Sequence, residues 1–158
     1  MKSRDVTLIG IWAALYAILV YVFAPISFQA LQFRVADILP PSIAKKKLLA
    51  VAYAIGVVAG NIISPYAGPW DLGFMPFMSF VAGILGYYAA KLYSKLDYYI
   101  CGVVESIVIA LSVSFMLEQL LTIPMFITFP MLLVSELILS IIGAVIFKLI
   151  ERRWVWWS

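Results

Sequence analysis

Residues 125–148 read MFITFPMLLVSELILSIIGAVIFK, and the one ionisable group before Lys148 is Glu136. A helix of this length rises about 36 Å at 1.5 Å per residue, more than the roughly 30 Å hydrocarbon core of a bilayer. The stretch therefore predicts a membrane-crossing helix. Working outward from it, the same signature recurs in residues 6–33, 48–70, 72–90 and 98–117, which are free of charge except for Glu105. The composition agrees: 65% of the 158 residues are hydrophobic and 12% charged, with mean hydropathy +1.08. Soluble domains run at about 45–50% apolar and about 25% charged. An all-α integral membrane protein is expected, one compact bundle over residues 1–158 with room for about six spans and no separate soluble domain.

The segment 28–44 is the ambiguous one, because Arg34 and Asp37 lie in its first half and Lys45-Lys46-Lys47 follows it. It is either a short second span or a re-entrant piece. If it spans, ten basic residues (Lys2, Arg4, Lys45, Lys46, Lys47, Lys91, Lys95, Lys148, Arg152 and Arg153) share one side, against Arg34 alone on the other. Cytoplasmic loops carry the Lys/Arg excess. The count therefore favours six transmembrane helices with both termini cytoplasmic, at about 6–25, 28–44, 48–64, 72–90, 98–117 and 125–148. The +3 net charge and pI near 9.0 are read in the same way, as loop charge that orients the chain and not as nucleic-acid binding.

Lys2 and Arg4 ahead of an apolar run resemble a signal peptide, but the spans downstream favour a retained first helix. Pro25 is expected to end that helix near Phe23. Outer loops are expected over 25–35 and 63–71, a third outer turn near Glu118 to Pro124, and a kink at Pro130. Trp154, Trp156 and Trp157 beside Arg152 and Arg153 read as an aromatic belt at the inner interface.

Several chemistries are excluded. The chain has no His and a single cysteine, Cys101, so it offers no Cys/His zinc set, no Ser-His-Asp triad and no disulfide framework. It carries no G-x-x-x-x-G-K-(S/T) loop, so it does not itself hydrolyse ATP. No enzyme activity, metal or cofactor is expected, and Cys101 reads as a packing residue.

Three small-xxx-small pairs stand out: Ala13 with Ala17, Gly56 with Gly60, and Ala82 with Gly86. Lipid tails are as apolar as leucine, so membrane helices approach closely where residues are small. Each pair serves either packing within the chain or docking of another membrane protein. Ionisable groups in the hydrocarbon cost about 2.5–3.5 kcal/mol each even on the lenient insertion scale, so each needs a partner or a task. Glu136, a dozen residues into the last span, shares a helix face with Ser140 and Ala144 and is expected to point into the bundle. Asp71 either caps the fourth helix or serves a site. Glu105 either pairs or has a role, and Glu118 sits at the outer end. For Arg34 and Asp37 the alternative is a local i,i+3 salt bridge. With Gln29, Gln32, Asn61, Tyr66, Trp70 and Phe74, these residues gather amides, a guanidinium, carboxylates and aromatics under the outer loops, the composition of a pocket for a flat polar heterocycle.

The stretch Leu31-Gln32-Phe33-Arg34-Val35-Ala36-Asp37-Ile38-Leu39 resembles the I-Q-x-R-(I/V)-(S/A)-E-x-L signature of the QueT family of queuosine-precursor transporters. Gly60-Asn61 is similar to the family's small-Asn pair, Asp71-Leu72-Gly73-Phe74 to its D-x-x-F opening of helix four, and Ser135-Glu136-Leu137-Ile138 to its G-E-L-(I/V). Asp37 stands where the family has Glu, Met75 and Ser135 where it has Gly, and Pro40-Pro41 is unusual. The resemblance implies a substrate-binding S component of an energy-coupling factor (ECF) transporter in the cell membrane. It would capture a deazaguanine queuosine precursor and work with a membrane coupling (T) subunit and two ATPase subunits. It places the ligand among Gln32, Arg34, Asp37, Asn61, Tyr66, Trp70, Asp71, Phe74 and Glu136, and the docking of the coupling subunit on Ala13 and Ala17. The alternatives are an S component for another vitamin or nucleobase, or a small channel or structural membrane subunit.

Overall fold

Proline placement and charge decide where the helices stop. In the computed structural model, which describes residues 3–28 and 33–157, α1 (Ser3–Val22) is free of charge after Asp5 and ends just ahead of Pro25. Pro25 opens a single turn, α2 (Ala24–Ser27). Two 3-10 segments follow, Val35–Ile38 and Pro40–Ala44, and then α3 (Leu49–Asn61). A π turn (Trp70–Phe74) runs directly into α4 (Met75–Leu92), followed by α5 (Asp97–Leu121) and α6 (Met125–Glu151). The fifth helix continues past Glu118, so the turn into α6 is only residues 122–124. Thr122 makes that turn in the left-handed region (φ 56°), its N–H donating to the Glu118 carbonyl at 3.1 Å. α6 continues through Pro130. Four helical stretches are long and apolar enough to cross a membrane: Ser3–Val22, Trp70–Leu92, Asp97–Leu121 and Met125–Glu151. The protein is a multi-pass membrane protein.

The stretch 28–44 is not one α-helix. Pro40 and Pro41 bring no backbone donors and restrict Leu39, so the chain takes 3-10 turns that together extend about 20 Å at about 2.0 Å per residue. Such a backbone is tolerated at membrane depth only where protein surrounds it. Here it is surrounded: α1 and α6 pack on Val35–Ile38, and α3, α4, α5 and α6 pack on Pro40–Ala44. Ala36 and residues 40–44 are buried. Glycines make the room, since a Cβ on Gly143 of α6 would overlap the Ile38 carbonyl. One on Gly102 of α5 would lie 3.2 Å from Pro41 Cγ, and one on Gly83 of α4 2.9 Å from Ile43 Cδ1.

The three small-residue pairs all pack inside the chain. A Cβ on Gly56 would stand 2.8 Å from Tyr16 Cβ and one on Gly60 3.0 Å from Val20 Cγ2, so these two glycines seat α3 against α1. Ala82 is fully buried, and Gly86 lies against Cys101, itself a buried free thiol. Ala13 and Ala17 are 6% and 9% exposed, on the inward face of α1 with Tyr16 and Val20.

Charged side chains collect at one end of the bundle. Lys45 pairs with Asp97 at 2.6 Å and Glu151 at 2.7 Å, Lys148 with Glu151 at 3.2 Å, and Lys46 with Asp5 at 2.8 Å. The start of α1 and the end of α6 therefore lie together. The tryptophans after α6 are not a uniform belt: Trp154 is exposed, but Trp156 is 7% exposed and packs edge-on against Trp12 at 5.7 Å between ring centroids. Burying an indole against Trp12 and Phe147 removes more apolar area from water than the interface offers it.

Candidate functional site

Asp37 sits on the first 3-10 segment, in the middle of the bundle, and is 3% exposed. Two tyrosines reach it from neighbouring helices: the Tyr16 hydroxyl of α1 donates to Oδ1 at 2.8 Å and the Tyr53 hydroxyl of α3 to the same oxygen at 3.3 Å. Their rings pack with centroids 5.3 Å apart, held there because Gly56 lets α1 and α3 approach. A buried tyrosine needs a partner for its hydroxyl, and Asp37 serves both. The Glu136 carboxyl on α6 faces Asp37, and Glu105 on α5 stands within electrostatic reach of both. Both Glu105 oxygens are buried without a hydrogen-bond partner among the described residues, and the Cys101 thiol lies beside them. Glu136 points inward as expected, next to the Ser106–Ser140 hydroxyl pair at 2.9 Å that ties α5 to α6.

Arg34 joins this group to a second one. Its guanidinium lies against Tyr16, within electrostatic reach of Asp37 and Asp71, and over the Phe28 ring at 5.6 Å from the centroid. No contact as short as 4.0 Å pairs it with Asp37, so the local i,i+3 salt bridge does not form. Arg34 also lines a small cavity of about 10 Å³ with Phe28, Ser64, Tyr66, Asp71 and Met75.

Asp71 does not cap a helix. It lies in the π turn ahead of α4, 2% exposed, and its side chain makes no cap bond. Instead Asn61 Nδ2, at the last residue of α3, donates to Asp71 Oδ1 at 2.7 Å and to the Asp71 carbonyl at 3.0 Å. The other two acceptors, Asp71 Oδ2 and Asn61 Oδ1, are buried without a partner among the described residues. A buried acceptor left unmade costs about 1–3 kcal/mol. Two of them on one hydrogen-bonded pair, with the Arg34 guanidinium within electrostatic reach of Asp71, form a place that a molecule carrying N–H donors would complete.

The structure thus brings Arg34, Asn61, Tyr66 and Asp71 together, and joins Asp37 and Glu136 to them through Arg34. Trp70 and Phe74 are not on the cavity. They form an aromatic cluster with Phe115 of α5, at 5.3 Å from each other and 5.8 and 6.0 Å from Phe115, which is 40% exposed. The aromatic residues that line the cavity are Tyr66 and Phe28. Gln32 and Gln29 lie outside the described residues. Sequence reasoning missed Tyr16, Tyr53 and Phe28. A polar-tipped aromatic set among the small residues Ala13, Ala17 and Gly56 was the available signal for the two tyrosines.

The family model described as QueT transporter matches residues 6–152. Searches of curated proteins and of solved structures returned no match. The match takes in both acidic groups, Arg34 and the Asn61–Asp71 pair, and covers nearly the whole chain. The chain belongs to the QueT transporter family.

Proposed function

We propose that the protein is the substrate-binding S component of an ECF-type uptake transporter, with a deazaguanine queuosine precursor as its ligand. The observation that carries the reading is the pair of acceptors without a partner among the described residues, Asp71 Oδ2 and the Oδ1 of the Asn61 amide bonded to Asp71, with Asp71 lining a cavity beside Arg34 and Tyr66. A guanine-like edge presents adjacent N–H donors that a carboxylate accepts in bidentate fashion. The surrounding groups suit the rest of such a molecule. Asp37 and Glu136 lie within electrostatic reach of the Arg34 guanidinium and Glu105 within reach of both carboxyls, a surplus of acidic groups among the described residues that favours a cationic aminomethyl substituent. The cavity holds about one water molecule, so in this reading its walls open to admit the ring. Mass spectrometry of the ligand retained by the purified subunit tests this. A stoichiometric deazaguanine supports it, and a different vitamin or an empty subunit that ignores added deazaguanine overturns it.

In this reading the chain crosses the membrane six times with both termini cytoplasmic, α3 and the buried 35–44 segment serving as the short crossings. The shared end of Lys45, Lys46, Lys148 and the α1 start supports it, because those charges then face the cytoplasm together. Labelling of a cysteine placed at Lys46 by an impermeant reagent from outside would contradict it. Docking to the coupling subunit, assigned by resemblance to Ala13 and Ala17, sits better on the opposite stripe of α1. Gly10 and Ala14 are exposed there at the same spacing, and a Cβ on Gly10 would meet nothing within 4 Å.

A further inference from the structure

At the charged end of the bundle, a groove of about 350 Å³ lies between the first turns of α1 and the chain that follows α6. Neither the candidate site nor the packing described above uses it. Its α1 wall is a single helical stripe that changes character along its length. Arg4 and Thr7 stand toward the end of the bundle, and Leu8 and Ile11 lie deeper. From Arg4 to Ile11 the helix rises about 10 Å, and Ile11, 59% exposed, continues onto the bilayer-facing surface through Ile18, 56% exposed. The opposite wall is Trp154, Trp156 and Trp157, and Lys46 closes the charged end.

The charges here do not cancel. Lys46 is paired with Asp5, and Arg4 has no ion pair among the described residues, so the described lining carries an excess of positive charge. Trp154, 65% exposed, stands at the rim. A cationic end, an apolar end open to the acyl region and a tryptophan wall between them match the polarity of a phospholipid along its axis. A free anion would use only the first of these features.

We propose that this groove seats one anionic phospholipid, its headgroup phosphate against Arg4 and Lys46 and the start of an acyl chain along Leu8 and Ile11. The lipid would bridge α1 and the segment after α6, and so tie the first helix to the last. The test is a titration of the detergent-purified subunit with dioleoylphosphatidylglycerol, dioleoylphosphatidylcholine or inorganic phosphate, read by native mass spectrometry and by melting temperature. Phosphatidylglycerol should bind at a stoichiometry of one and raise the melting temperature, phosphatidylcholine should bind markedly less, and inorganic phosphate should leave the melting temperature unchanged. Arg4→Gln should weaken phosphatidylglycerol about fivefold, the effect of about one basic side chain at an anionic lipid. Trp154→Ala, at an exposed rim position, provides the same reading should Arg4→Gln not fold. Equal binding of the two lipids, undiminished phosphatidylglycerol binding by the folded variants, or a shift reproduced by inorganic phosphate alone would each overturn the proposal.

Discussion

Replacing Asp71 by asparagine separates a ligand-binding carboxylate from a structural one. In the native side chain Oδ1 already accepts from Asn61 Nδ2 at 2.7 Å, while Oδ2 is buried without a partner among the described residues. Asparagine has the same shape. To keep the Asn61 bond it must turn its single oxygen toward Nδ2, which leaves its own NH₂ where Oδ2 was. A ligand N–H would then meet a donor. A charge-assisted hydrogen bond contributes about 1.5–3 kcal/mol, so affinity should fall by about ten- to a hundredfold. The ligand-free subunit should not suffer, because the substitution removes a buried carboxyl group whose hydrogen bonding is incomplete among the described residues, and its melting temperature should stay level or rise. Isothermal titration of an aminomethyl-deazaguanine onto wild-type and Asp71→Asn protein, with thermal melting of both, measures the two quantities separately. Unchanged affinity in a folded Asp71→Asn variant would refute the assignment, and a joint fall of affinity and melting temperature would make the carboxylate structural.

Four further substitutions have expected outcomes of the same kind. Glu136→Gln should weaken binding of the cationic aminomethyl ligand by about tenfold, the loss of one charge-assisted contact, and should affect uncharged guanine less; equal loss for the two ligands would remove Glu136 from recognition of the cation. Ala13→Trp should lower the melting temperature, since overpacking the buried face of α1 costs about 1–3 kcal/mol. Gly10→Trp, on the exposed face, should leave melting and ligand binding near wild type but abolish uptake with the coupling subunits; a Gly10→Trp protein that transports normally would locate docking elsewhere. Burial of Lys45 opposes its charge, but its hydrogen bonds to Asp97 and Glu151 outweigh that and hold its pKa above the ordinary 10.5. That contribution to stability is complete below pH 10.5 and is lost as pH rises through the folded value. Melting temperatures of wild type and Lys45→Gln should therefore converge under alkaline conditions, and a constant gap across pH 8 to 12 would show that the ammonium charge is not what stabilises this end.

The sequence by itself determined that this is an all-helical membrane protein, where the long helices run, and which family it belongs to. Those features are linear: a charge-free run long enough for a bilayer, a proline at position 25 that ends a helix, and motifs around Arg34, Asn61, Asp71 and Glu136 at fixed spacing. It also identified Gly56 and Gly60 as a close helix contact, because only small residues permit one in lipid. Which way each helix faces was decided by the tertiary structure alone. In a soluble helix the polar face marks the outside, but in a bilayer the outward face is as apolar as the core, so hydropathy carries no direction. For that reason Ala13 and Ala17 turned out to be buried while Gly10 and Ala14 are exposed, and Trp70 and Phe74 packed on Phe115 instead of the cavity. The path of residues 35–44 was hidden for a related reason. Two prolines forbid an α-helix there, but only the room left by Gly83, Gly102 and Gly143, on three helices distant in sequence, lets a 3-10 segment run through the middle of the bundle and set Asp37 between Tyr16 and Tyr53.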